Sequence, residues 1–67
     1  MKIFHLNRAP GHFLPNEDIT EDRMTDWAIR NDDYDISGDL ILSEWIQSAE
    51  VGDFWNDHTG DSYTRIA

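Results

Sequence analysis

The stretch DFWNDHTGDSYTRI, residues 53–66, decides the fold that the sequence predicts. Two short runs that contain aromatic residues, 53–56 and 61–66, flank the segment Asp57-His58-Thr59-Gly60. Glycine can adopt the left-handed backbone conformation that tight turns between strands require. The stretch therefore predicts a β-hairpin with its turn at residues 57–60.

Two helices are predicted before the hairpin. Thr20 is followed by two acidic residues, a pattern typical of a helix start, and apolar residues then recur at helical spacing, so a helix is predicted over about 20–30. The same spacing predicts a second helix over about 40–50, which Gly52 ends. An alternative remains for its start, because residues 40–42 could form a strand that precedes a shorter helix capped by Ser43.

The remaining elements complete a fold class. Residues 2–7 alternate in polarity, which is typical of a short strand, and the turn signals after them indicate a loop over 8–19. We therefore predict one α+β domain over residues 1–67. Its small antiparallel sheet combines the N-terminal strand with the C-terminal hairpin, and the two helices pack on the sheet.

Composition excludes several classes of function. The chain has 67 residues, no cysteine and a net charge of −9, so thiolate zinc sites and disulfides are excluded. Clustered lysines and arginines, which binding to nucleic acid or to an anionic membrane requires, are missing. No apolar run approaches the roughly 18 residues of a membrane span, and no export signal is visible. A cytoplasmic location is the expectation.

Catalysis is not expected either. The three histidines His5, His12 and His58 lie far apart in the sequence, and no phosphate-binding loop, nucleophile elbow or Cys/His arrangement is present. A domain this small also has little volume for a water-excluding pocket. The sequence therefore predicts a binding protein rather than an enzyme.

Residues 33–44, DYDISGDLILSE, raise the possibility of a metal site. Oxygen-bearing side chains alternate at its start, Gly38 permits a sharp turn at position 6, and an acid stands at position 12. The segment resembles the twelve-residue calcium loop of EF-hand proteins, although Ile36 and Ile41 depart from the family's usual polar or small residues. The resemblance implies calcium ligands at Asp33, Asp35, Ser37, Asp39 through its backbone carbonyl, and Glu44.

The same acids can instead form a negatively charged surface without a metal. Duplex DNA carries dense, regularly spaced negative charge, so regularly spaced carboxylates can occupy a basic groove that normally holds phosphates. Length, net charge, missing cysteine and the mixture of aromatic and acidic residues at 53–57 resemble the small acidic phage-encoded inhibitors of host defence, which include anti-CRISPR proteins and other DNA mimics. That resemblance implies steric blocking of a basic nucleic-acid-binding host protein. The contact residues expected are Asp32, Asp33, Asp35, Asp39, Asp53, Trp55, Asp57 and Asp61.

The role of Trp55 in this hypothesis rests on strand geometry. Adjacent residues of a strand project to opposite faces, so at most one of Phe54 and Trp55 is buried by the sheet. The other is a candidate interface anchor, because exposed aromatic side chains among charged residues are typical binding hot spots. Trp55 is the residue predicted to fill this role, whereas Trp27 and Trp45 are predicted to lie in the core.

Overall fold

The computed structural model describes residues 1–67. Its elements are β1 (Ile3–Asn7), β2 (Glu17–Thr20), α1 (Glu21–Arg30), α2 (Leu42–Ser48), β3 (Phe54–Asn56) and β4 (Ser62–Arg65). The strands form one antiparallel sheet in the order β2-β1-β4-β3. This is the α+β fold that the sequence predicts, with one additional strand. Neither helix has the length and apolar character needed to cross a membrane.

One face of the sheet is apolar. Phe4 pairs with Ile19 of β2, Leu6 pairs with Tyr63 of β4, and Tyr63 pairs with Trp55 of β3. Directly paired residues of antiparallel strands project to the same face, so these five side chains form a continuous inner surface. All five are buried. The alternating polarity of β1 thus places Phe4 and Leu6 on the inner face of the sheet.

Helix α1 begins where the sequence predicts. The Thr20 hydroxyl accepts a hydrogen bond of 3.3 Å from the backbone N–H of Arg23, which satisfies one of the free donors at the helix start. Met24 and Ala28, one turn apart, are fully buried. The predicted helix over 20–30 is confirmed.

Helix α2 completes the core. Leu42, Trp45 and Ile46 fall at helical spacing and are buried. The Trp45 ring lies 5.3 Å from the ring of Phe4 at a tilt of 53°, a favourable arrangement for two aromatic side chains. The core therefore joins both helices to the inner face of the sheet.

The observed bounds of α2 correct the prediction of a helix over 40–50. Ile41 is extended, with φ −76° and ψ 146°, and forms an isolated antiparallel bridge with Tyr34. Because the backbone of Ile41 is extended and paired with Tyr34, the helix begins only at residue 42. The alternative with a shorter helix is closer to the structure, but Ser43 lies inside the helix and does not cap it.

Strand β2 was not predicted; it lies within and just after the predicted loop 8–19. Ile19 is its only apolar residue, so the segment lacks the alternation of a strand. The carboxylate of Glu17 accepts from Arg8 at 3.1 Å and from Arg23 at 3.0 Å. Contacts with distant residues thus stabilise this edge strand.

The outer face of the sheet lies opposite the helices. Asp18, His5, Thr64 and Phe54 form one row across its four strands. His5 Nδ1 lies 2.8 Å from Asp18 Oδ1, and Phe54 is 66% exposed. This face therefore combines one acid with an exposed aromatic ring.

Candidate acidic interface

The segment between the helices, residues 31–41, is called the acidic loop below. It is a structured turn, because the N–H of Asp35 donates to the carbonyl of Leu40 at 3.0 Å just inside the bridge between Tyr34 and Ile41. Gly38 has φ 79°, a conformation that favours glycine. The acids of the loop are therefore presented on a defined backbone.

Asp35 organises the centre of the acidic loop. The Ser37 hydroxyl donates to Asp35 Oδ2 at 2.8 Å, and its oxygen lies 3.3 Å from Asp39 Oδ2. The backbone N–H of Asp39 donates to Asp35 Oδ1 at 3.0 Å. The bond from Ser37, with the N–H donors that follow it, lowers the pKa of Asp35 although partial desolvation opposes the change. The hydrogen bonds of Asp35 therefore favour its ionised form.

Two hydrogen bonds attach the acidic loop to β3. The N–H of Ile36 donates to the carbonyl of Asn56 at 2.9 Å, and the indole N–H of Trp55 donates to the carbonyl of Leu40 at 3.0 Å. Asn56 immediately precedes the turn of the hairpin. The acidic loop consequently lies beside this turn, although the two are about 20 residues apart in the sequence.

The hairpin turn, residues 57–61, adds two acids. Asp57 donates its N–H to the carbonyl of Asp61 at 2.8 Å, and its side chain accepts from the N–H of Thr59 at 2.8 Å. The carboxylate of Asp61 accepts from the N–H of Ala9 at 2.7 Å. Burial, followed by the charges of Asp57 and Asp61, raises the pKa of Tyr63 to about 12, against an opposing effect of the positive charge of Arg8.

Two of the predicted contact residues, Asp32 in the acidic loop and Asp53 before β3, accept hydrogen bonds from residues outside the acidic loop and the hairpin turn. The carboxylate of Asp32 accepts from the N–H of Ser43 at 3.0 Å and from its hydroxyl at 2.7 Å, so Asp32 supplies the cap that Ile41 cannot. Asp53 stands before β3, at its end away from the hairpin turn, where its carboxylate accepts from the N–H of Glu50 at 3.0 Å. Four steps of extended chain place Asp53 about 13 Å from Asp57. Asp53 is therefore separate from the hairpin-turn acids.

The salt bridges of the protein lie away from the acidic loop. Arg8 and Arg23 share the carboxylate of Glu17, and His5 faces Asp18. Lys2 and Arg65 donate to backbone carbonyls in and just after α2. The carboxylates of the acidic loop and the hairpin turn consequently have no internal ion pair.

The structure corrects the role assigned to Trp55. Trp55 is only 3% exposed, because its ring lies on the inner face of the sheet, 6.0 Å from the ring of Tyr63. Phe54 projects to the outer face and is the exposed aromatic residue of the pair. Period-two alternation alone cannot indicate which face the helices cover, so no local pattern distinguishes Phe54 from Trp55 as the exposed residue. Phe54, not Trp55, is therefore the exposed aromatic side chain of this strand.

The residues implied as calcium ligands are only partly brought together. Asp35, Ser37 and Asp39 share hydrogen bonds, whereas Asp33 Oδ1 accepts from the N–H of Tyr34. Glu44 lies in the first turn of α2 and is exposed. No group of three or more His, Cys, Asp or Glu side chains is close enough to hold a metal ion. A cation would require Asp33 and Glu44 to turn toward Asp35.

Comparisons with known proteins found no matching family model, no matching curated protein and no matching solved structure.

Proposed function

We propose that this chain is an acidic inhibitory protein that occupies the basic nucleic-acid-binding channel of a host defence effector. The observation that carries the proposal is the hydrogen bond between Ile36 and Asn56, which holds the acidic loop beside the hairpin turn. Asp35 precedes Ile36 and Asp57 follows Asn56, so this bond places an acid of the loop near an acid of the hairpin turn. The binding protein acts in the host cytoplasm, by occlusion and without catalysis.

Electrostatics explains how such a surface can compete with nucleic acid. Carboxylates that lack an internal cation keep their full attraction for an external one, and a field of one sign steers the association of a partner of opposite sign. The hydrogen bonds that Asp35 accepts favour its charged form at the centre of the loop. Binding should therefore weaken as salt is added, because exposed charges are screened within about 10 Å at 0.1 M salt.

An apolar contact supplements the charge. Phe54 is exposed and lies two residues before Asn56, the residue to which the acidic loop is bonded. Aromatic side chains carry a large share of the energy in protein interfaces, whereas exposed ion pairs contribute little individually. Phe54 therefore supplies affinity, and the acids supply orientation and rate.

Retention of host proteins tests the proposal directly. Immobilised protein is incubated with host lysate at low and at high salt, and bound proteins are identified by mass spectrometry. We expect a nucleic-acid-binding protein that is retained at low salt, released at high salt and displaced by added DNA. A screen that retains no nucleic-acid-binding protein at low salt contradicts the proposal.

Charge-matched variants then separate the acidic surface from net charge. One triple variant carries Asp33→Asn, Asp39→Asn and Asp57→Asn. The control carries Asp18→Asn, Asp26→Asn and Glu50→Gln, so both lose the same charge. We expect the first variant to lose retention and the control to keep most of it. Equal losses would show that net charge alone is responsible.

Calcium binding is the second candidate, and one observation favours it. The acidic loop joins two helices, and its Asp35, Ser37 and Asp39 side chains gather around Gly38, as in the first half of an EF-hand loop. This candidate assigns the remaining ligands to Asp33 and Glu44.

A calcium titration distinguishes the two candidates. The indole N–H of Trp55 is bonded to Leu40 of the acidic loop, so tryptophan fluorescence reports rearrangement there. The DNA-mimic proposal predicts an unchanged spectrum at millimolar calcium. A saturable change that Glu44→Ala abolishes and Glu50→Ala leaves intact would establish the calcium module instead.

A further inference from the structure

A groove lies between α1 and α2. Its volume is about 310 Å³, near the lower end of the range for ligand pockets. Its lining residues are Glu21, Asp22, Thr25, Ala28, Ile29, Asp32, Ser43, Ile46 and Gln47. The positions on α1 recur at helical spacing, so they form one stripe that faces α2.

Small side chains explain why the groove is open. Thr25 and Ala28 on α1 and Ser43 on α2 are too short to fill the space between the two helices. Ile29 stands at the edge with 77% of its surface exposed, while Ile46 is buried. Ala28 and Ile46, 1% and 2% exposed, form the floor of the groove, and Ile29 is the apolar side chain that solvent reaches.

Carboxylates stand at both ends of the groove. At one end, Glu21 accepts from the backbone N–H of Lys2 at 3.3 Å, while the carboxylate of Asp22 has no hydrogen bond or ion pair within the protein. At the other end, Asp32 is engaged by Ser43. Asp22 and Ile29 are about 10 Å apart along the helix. Asp22 is thus an unpaired carboxylate in the groove.

We propose that this groove binds one arginine side chain of the basic partner, an inference that rests on the proposed function. An arginine has a long aliphatic stem and a weakly hydrated, planar cationic head. The stem lies against Ile29, over the floor formed by Ala28 and Ile46, and the guanidinium group donates to Asp22. The groove thus recognises both the aliphatic stem and the charge of arginine, a residue common in nucleic-acid-binding channels.

The test uses the isolated protein and a small probe. N-acetyl-arginine methylamide is titrated into the labelled protein, and backbone amide shifts are followed by NMR. The neutral isostere N-acetyl-citrulline methylamide is the control probe. We expect weak, saturable shifts centred on residues 22–29 and 43–47 with the arginine probe and much smaller shifts with citrulline. Shifts of equal size at every acidic residue, or none, overturn the inference.

A matched pair of variants locates the cationic head. Asp22→Asn removes the free carboxylate of the groove, and Asp26→Asn removes an equal charge from α1 outside the groove. We expect Asp22→Asn to weaken the arginine probe about fivefold, the upper range for an exposed ion pair, and Asp26→Asn to have little effect. Equal effects of both variants contradict the inference.

The arginine titration and the lysate experiment can fail independently of each other. No host protein takes part in the titration, so a groove that ignores the arginine probe refutes this inference while the lysate result can still stand. Conversely, a groove that binds the probe in a protein that retains no nucleic-acid-binding partner would remove the proposed function alone.

Discussion

Replacing Trp55 with phenylalanine tests the connection between the core and the acidic loop. The indole N–H of Trp55 donates to the carbonyl of Leu40 at 3.0 Å, and the ring is buried against Tyr63. Phenylalanine keeps an aromatic ring in the core and removes only the donor and part of the volume. The same carbonyl still accepts from the N–H of Asp35.

The expected loss combines two contributions. Loss of a buried hydrogen bond costs about 1 kcal/mol, and the smaller ring leaves unfilled volume that costs about another 1 to 2 kcal/mol. The free energy of unfolding should therefore fall by about 2 to 3 kcal/mol, a large share of what a small domain has. Urea unfolding followed by circular dichroism measures this value.

Trp45→Phe is the matched control. Trp45 is 4% exposed, and its indole N–H donates to no group of the protein, so this variant loses packing alone. We expect Trp55→Phe to be about 1 kcal/mol less stable than Trp45→Phe. Hydrogen exchange should also quicken at the amides of Asp35 and Ile36 in Trp55→Phe only. Equal stability losses with unchanged exchange in the loop would refute the reasoning.

Three further predictions concern the loop, the cap and the buried tyrosine. Asp32→Ala should lower the free energy of unfolding by about 1 kcal/mol, because Ser43 at the start of α2 loses its acceptor, whereas Asp26→Ala should change it by less than about 0.5 kcal/mol in urea unfolding. Gly38→Ala should cost about 1 kcal/mol through backbone strain alone, since φ is 79° and no heavy atom lies within 4 Å of the added Cβ; an unchanged urea midpoint contradicts this. The pKa of Tyr63 rises from 10.0 to about 12 on folding, so the unfolded chain loses this proton first and stability should fall by up to about 2 to 3 kcal/mol as pH rises through that interval. Tyr63→Phe should remove that part of the pH dependence, and equal slopes for both proteins would disprove it.

Elements with local signals could be predicted from the sequence. Thr20 caps α1 through its own hydroxyl, and the spacing of Met24 and Ala28 marks the buried face, so both follow from neighbouring residues. The hairpin likewise follows from short strand patterns around Gly60, whose φ is 96°. Such signals come from residues that are close together in the chain, so a short window of sequence contains them.

Elements that depend on distant contacts could not be predicted. Strand β2 has one apolar residue and depends on pairing with β1 and on the arginines that share Glu17. The start of α2 depends on the bridge between Tyr34 and Ile41. For the candidate interface, the number of acids is evident from composition. The position of the acidic loop beside the hairpin turn depends on the bond between Ile36 and Asn56, which no local pattern indicates.

The pairing of the two central strands has a practical consequence for engineering this domain. Ile3 donates its N–H to the carbonyl of Ala67 at 3.0 Å, so residues 3 and 67 meet at the end of the sheet that is remote from the hairpin turn. A fused tag or a continued polypeptide at either side would emerge there and leave the acidic loop unobstructed. A short linker could also join these ends, and circular permutants opened at 58–60 would show whether an unbroken hairpin turn is needed for folding.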